Sequence, residues 1–236
     1  MGVFLSNNFI YNLKDVYYFA RDKELKNILS NKVLRRGINF YTDFGHISSI
    51  IAVAAIESFL NEIFICLLGK YNIEKTTFFS KLTNEQIEKI EKLNLSLKLI
   101  LIPELLIGKT LEKDKKPYQN SALLIKIRNS FVHYKLDSAP PKGIKELWDK
   151  NIALQMAEKS SKNYLDMNKA NWQSSLNCSE FIRWSYNTVC ETIYSLINLI
   201  EGDQQKMLFL SDFSNWHPKI EKLEVEKWFN DNQISI

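Results

Sequence analysis

The chain has 236 residues, 45% of them apolar and 25% charged, with a formal net charge of +4. Length and composition suit one domain with extensions, or two small ones, and the mild positive charge is compatible with a polyanion partner without arguing for one. Seven Gly and five Pro leave few tight turns, which disfavours a many-stranded β fold and favours long helices.

Residues 1–44 read as an N-terminal extension, with a helix over Leu13–Leu29 that makes contacts through Tyr17, Phe19, Ala20 and Leu25 and is broken by Arg35-Arg36-Gly37. The clearest helix runs from Ile47 to Leu68. Its Ile50, Val53, Ala54, Ile56, Leu60, Ile63, Phe64 and Leu67 nearly encircle the axis, which predicts a central position. Glu57 and Asn61 interrupt that apolar surface, and their spacing of four stacks them on one face. Thr83-Asn84-Glu85-Gln86 has the form of a capping box and opens a short polar helix to Leu93.

Ser96 to Leu106 is apolar enough for another helix, with Pro103 expected to kink or restart it. From Gly108 to Lys116 follows a loop that carries Lys109, Lys113, Lys115 and Lys116, the most basic short stretch of the chain. A helix is predicted over Tyr118–Tyr134 with Leu124, Ile127 and Phe131 facing inward, closed off by Asp137-Ser138-Ala139-Pro140-Pro141. A short helix over Ile144–Met156 and a polar connection over 157–176 come next. Asn177-Cys178-Ser179-Glu180 looks like a second capping box, opening a long helix with the stripe Cys178, Ile182, Ser185, Val189, Ile193, Leu196 and Ile200. Residues 201–236 form an amphipathic tail packed on or beside the bundle. The expected fold class is all-α: an up-and-down helical bundle over 45–200, with short connections making sequential neighbours antiparallel, and an extension at each end.

Cys66, Cys178 and Cys190 are odd in number, widely spaced and set in apolar helical stretches, so they read as reduced core residues. His46, His133 and His217 are scattered, and neither a metal nor a cofactor is expected. The start MGVFLSNNFIYNLKD lacks the basic opening and apolar run of a signal peptide. The most membrane-like window, Ile50–Gly69, contains Asn61 and the carboxylates of Glu57 and Glu62, which are costly in mid-bilayer. A soluble cytoplasmic protein with no membrane partner is the expectation.

The stretch that carries chemistry is Arg128-Asn129-Ser130-Phe131-Val132-His133, at a predicted helix end. A guanidinium holds two phosphate oxygens at once, and an imidazole, with a reference pKa of about 6.5, exchanges protons near neutral pH. Asn129 stands four residues before His133 and shares its face, so its amide can orient the ring or a phosphate. Arg128 and His133 are about 140° apart on an ideal helix and converge only if the helix frays or the Arg folds over. Attack by a ribose 2′-hydroxyl needs both a base and an acid, which one histidine per chain does not supply and two copies of His133 across a two-fold axis would. Arg128 can equally pair with Glu57 inside the bundle, and Glu57 with Asn61 can equally fix register.

With this motif and the earlier helix AAIESFLNEIF, the sequence resembles the HEPN family, whose members are helical bundles with an Arg-X4–6-His motif, often with Asn directly after the Arg. The resemblance covers roughly residues 45–200. It implies a HEPN-like bundle and metal-independent RNA cleavage at a site formed across a homodimer, frequently in toxin–antitoxin or phage-defence settings. It assigns Arg128, Asn129 and His133 as catalytic, with Glu57 and Asn61 supporting them. Lys109, Lys113, Lys115, Lys116 and Lys135 are candidates to line an RNA approach, and an antitoxin or defence-system protein is a candidate partner. A rival expectation is a HEPN-like dimerisation or adaptor module that does no catalysis. A third is that the terminal extensions hold a partner helix or antitoxin.

Overall fold

The computed structural model describes residues 5–29, 44–65, 83–133, 176, 178–200 and 217–221, with side chains in the first helix through residue 25. Among the described residues the fold is all-α, six helices and no strand: α1 Leu5–Leu29, α2 Phe44–Ile65, α3 Asn84–Glu91, α4 Leu95–Ile107, α5 Lys116–Val132 and α6 Ser179–Leu199. The helix expected over Ile144–Met156, the 157–176 connection, the cap at Asn177, Cys66, Lys135 and most of the 201–236 tail lie outside the described residues.

α2 is the centre, as its all-round apolar pattern predicts. It packs against α1, α4, α5 and α6 and buries Ala52, Val53, Ile56, Phe59, Leu60, Ile63 and Phe64. Each large apolar side chain so buried contributes about 1.5–3 kcal/mol. By length and composition α2 would also cross a membrane, but here the flanking helices take up its apolar sides.

Contacts at the helix ends fix direction. Ser6, at the start of α1, donates its N–H and its hydroxyl to the Glu62 carboxylate near the end of α2, at 2.9 and 2.5 Å. At the other end, the rings of Phe19 and Phe44 meet edge to face with centroids 5.7 Å apart. α1 and α2 are therefore antiparallel. Ser121, in the second turn of α5, hydrogen-bonds Thr192, well along α6, at 2.6 Å, while Glu24 on α1 reaches Ser179 at the start of α6. The end of α1, the start of α2, the end of α5 and the start of α6 thus gather at one end of the bundle.

The first helix begins at Leu5, eight residues ahead of the expected Leu13. Its Ile10, Leu13, Tyr17 and Ala20 belong to the same core as α2 and α6, so this stretch is built into the bundle. The polar run Ser6-Asn7-Asn8 hides the start in sequence, and Glu62 supplies the partner that makes it helical. Thr83 and Gln86 form the expected reciprocal capping box of α3. α4 is capped by Asn94, which accepts from the Leu97 N–H at 3.0 Å, and ends on Gly108 at φ 69°, the left-handed conformation that glycine adopts without penalty. Pro103 does not restart α4, which continues to Ile107. One lost backbone bond is outweighed there by the burial of Leu99, Ile102, Pro103 and Leu106. α5 begins at Lys116, with Pro117 in its first turn, where a proline fits best.

The second capping box takes another form. The N-cap of α6 is Cys178, which makes no side-chain cap bond. The carboxylate that caps this helix comes from Glu24 of α1, accepting from both the N–H and the hydroxyl of Ser179. Residues 217–221 lie along α6: the Asn187 amide bonds the Ile220 carbonyl and N–H, each at 2.9 Å, and the Tyr186 hydroxyl donates to the Pro218 carbonyl at 3.2 Å.

Candidate functional site

The motif closes α5. Arg128 follows Leu124 by four residues and Ile125 by three, and both of those are buried, so Arg128 stands on the inward face of the helix. It is half-buried because it lies in the last turn. His133 follows Asn129 by four and Lys126 by seven, and all three are exposed. The helix does not fray before its cap: the His133 N–H still donates to the Asn129 carbonyl at 2.8 Å, and the backbone leaves the helical region only at His133, at φ −109° and ψ 50°. Arg128 and His133 therefore face different sides of α5, about 140° apart, and do not converge within one chain.

Between them in sequence, the Ser130 hydroxyl donates to the Ile127 carbonyl at 2.6 Å. The Phe131 ring stacks on His46, from the first turn of α2, with centroids 5.1 Å apart and planes 17° from parallel. Sequence reasoning missed His46, because nothing in the spacing of the three histidines ties residue 46 to residue 131. Long-range antiparallel packing brings them together.

Glu57 and Asn61 share a face as expected, but their partner is neither Arg128 nor His133. The Lys98 ammonium, on α4, lies 3.1 Å from the Glu57 carboxylate and 3.1 Å from the Asn61 carbonyl oxygen. Lys98 is 2% exposed and Glu57 38%, so a buried cation is held at the bundle surface by two groups from α2. Glu57 lies eleven residues along α2 from His46, about 16 Å at 1.5 Å per residue, and Asn61 a further turn away. The pairing of Arg128 with Glu57 is not formed, and Arg128 has no ion pair among the described residues. A signal was legible: Lys98 is the lone cation in LSLKLILIPELLI.

Lys109, Lys113, Lys115 and Lys116 are exposed, as read from the sequence. Lys115 pairs with Glu112 at 3.6 Å. These lysines sit at the start of α5 while the motif sits at its end. Lys116 and His133 are seventeen residues apart, about 25 Å along the axis. Within one chain the basic loop is therefore at the opposite end of α5 from the motif.

Among the groups with displaced proton affinities are two carboxyls and a histidine: Glu24 at the motif end of the bundle, and Glu62 and His217 at the far end. Burial pushes the Glu24 carboxyl up to about 7, against the pull of its two bonds from Ser179. Burial likewise raises Glu62, against its bonds from Ser6. His217 is packed on Tyr11 with centroids 4.8 Å apart and lies 3.2 Å from the Asn7 side-chain oxygen. Burial, helped by Lys14, lowers its ring to about 4.

No family model, curated protein or solved structure matches the chain.

Proposed function

We propose that the chain is a metal-independent endoribonuclease with a HEPN-like fold that works as a homodimer. The observation that carries the reading is the Arg128–His133 arrangement at the end of α5, where a half-buried cation and an exposed imidazole stand on different sides of the helix. A second copy related by a two-fold axis would bring its His133 to the Arg128 of the first. Apolar side chains around the motif suit such an interface: Val132 is 50% exposed, Ile47 45% and Ile50 42%. Val132 stands four residues after Arg128, and Ile47 is the neighbour of the stacked His46.

In this reading Arg128 neutralises charge on the scissile phosphate and Asn129 orients the His133 ring. A base removes the 2′-hydroxyl proton, the 2′-oxygen attacks phosphorus, and an acid protonates the departing 5′-oxygen. The products are a 2′,3′-cyclic phosphate and a 5′-hydroxyl, and DNA survives for want of the 2′-hydroxyl. Incubating the protein with RNA in excess chelator, beside Arg128→Ala and His133→Ala, tests it: cleavage by the wild type alone supports the reading, and equal cleavage by all three rejects it.

The second reading is a non-catalytic dimerisation or adaptor module in a defence or signalling assembly. It is favoured by the distance of the lysine loop from the motif and by the engagement of Glu57 and Asn61 with Lys98. Expression in a bacterial host separates the two: growth arrest relieved by His133→Ala belongs to the nuclease, and indifference to the adaptor.

A further inference from the structure

We infer that His46 is the second proton-transfer group of this site, working beside Arg128 while the His133 of a second copy supplies the other; the inference rests on the ribonuclease reading above. Cleavage through the 2′-hydroxyl takes up one proton and delivers another, so two groups are required. The chain holds three histidines. His217 is walled in against Asn7 and Tyr11 near the start of α1, at the far end of the bundle. His46 is at the motif end.

Its placement is specific. The ring is half-buried and held face to face on Phe131, a contact that engages the ring face and leaves the two nitrogens at the edge free of the stack. Phe131 stands one turn beyond Arg128 on the same side of α5, and residues three apart on a helix are about 5–6 Å apart at Cβ. Arg128 and the residue that carries the stacked His46 ring are therefore neighbours on one side of α5, the side that His133 does not face. At this end of the bundle stand Arg128 from α5 and Lys23 from α1, whose ammonium lies 5.3 Å from the centroid of Phe44, while the carboxylates gathered there are engaged: Glu24 by Ser179, Glu180 by Arg183 and Asp22 by Arg21. The closest carboxylate along α2 is Glu57, three turns away and bound to Lys98. An anion fits this corner, and a phosphate oxygen held by Arg128 would lie within reach of the His46 ring.

In the proposed step, one of the two imidazoles accepts the 2′-hydroxyl proton as the oxygen–phosphorus bond forms. The other, protonated, gives its proton to the 5′-oxygen as that bond breaks. Each ends in the other's starting state, and either hydrolysis of the cyclic phosphate, which runs the two proton transfers in reverse, or proton exchange with solvent after its release resets the pair.

The test has two arms. In the first, the His46 ring signals are followed by NMR as inorganic phosphate is added to wild type and to Arg128→Ala. A phosphate-dependent shift that disappears in Arg128→Ala supports a shared anion site, and no shift in the wild type overturns the inference whatever the protein does to RNA. In the second, His46→Phe keeps an aromatic ring on Phe131 and removes the titrating nitrogens. A fall in RNA cleavage of 100-fold or more, with folding intact by circular dichroism, supports the role. A wild-type rate in His46→Phe alongside an inactive Arg128→Ala overturns it and leaves the ribonuclease reading standing. A wild type that cleaves no RNA sinks that reading, and the phosphate arm then decides the His46–Arg128 pocket by itself.

Discussion

Glu24 and Ser179, 155 residues apart in the chain, join two helices, the carboxylate closing the start of α6 from the last turns of α1. The bond sets a pH dependence, because burial holds the Glu24 carboxyl near 7 instead of 4.5. A group with a raised folded pKa stabilises fully below its unfolded value and loses that contribution as pH rises through the folded one. Glu24 therefore favours the fold below 4.5 and ceases to by about 7, with Glu62 acting in the same direction. His217 does the reverse: its ring is lowered from 6.5 to about 4, so its contribution is full above 6.5 and lost as pH falls through 4. For Glu24 the contribution is about 3 kcal/mol at most, and between pH 4.5 and 6.5 it opposes that of His217.

Glu24→Gln keeps an oxygen for the Ser179 N–H and removes the titration. It should unmask His217, so that stability to denaturant falls on acidification from pH 6.5 to 4.5. His217→Gln should do the opposite and become more stable over the same change. Urea unfolding at several pH values checks both, and parallel pH profiles for wild type and Glu24→Gln would contradict the assignment.

The Lys98–Glu57–Asn61 cluster is expected to be structural. Glu57→Ala strands a buried ammonium on a single amide oxygen and should cost about 2 kcal/mol, less than the roughly 3–5 kcal/mol of a fully buried pair because Glu57 is part-exposed. Adding Lys98→Met should recover most of the loss, since both ends of the interaction are then gone. Thermal or denaturant unfolding of the single and double variants measures this. Any RNA cleavage by Glu57→Ala should match wild type once both are fully folded, and a specific collapse in rate would restore Glu57 to the site.

Asn187 makes the paired bonds that hold Ile220 on α6, and Arg183 adds a third to the same carbonyl at 3.2 Å. Asn187→Ala should cost about 1–3 kcal/mol, and hydrogen exchange at Ile220 should accelerate while exchange in the core of α2 changes little. An unchanged Ile220 rate would mean that the segment is held elsewhere.

The helices were legible wherever one face of the chain announced itself. α2, the Thr83 capping box and the end of α5 at His133 follow from spacing alone. What was not legible depended on partners distant in sequence. Cys178 stands at the start of α6 without a side-chain cap bond, and the carboxylate that serves there is Glu24. Ser6 is ordered by Glu62. Glu57 and Asn61 were visible as a pair, but Lys98 was overlooked inside an apolar helix although a lone cation there needs a partner. The facing of Arg128 and His133 was readable from their five-residue separation. The arrival of His46 at Phe131 was not, because it depends on how α2 crosses α5.

The apolar rim gives a further expectation. Val132→Asp places a charge on the exposed apolar end of α5 and should shift the solution mass toward the monomer, with at least a tenfold loss of any RNA cleavage. Light scattering over a concentration series measures the first effect. An unaltered dimer would place the interface on another face.

Mixing two inactive variants tests the shared site most directly. Arg128→Ala and His133→Ala, each inactive alone, are unfolded together and refolded so that subunits pair at random, and RNA cleavage is measured in chelator. If each phosphate is handled by the arginine of one copy and the histidine of the other, mixed dimers hold one intact site and the mixture regains about a quarter of wild-type activity. A mixture as inactive as its components, beside an active wild type refolded in the same way, would contradict the two-copy site.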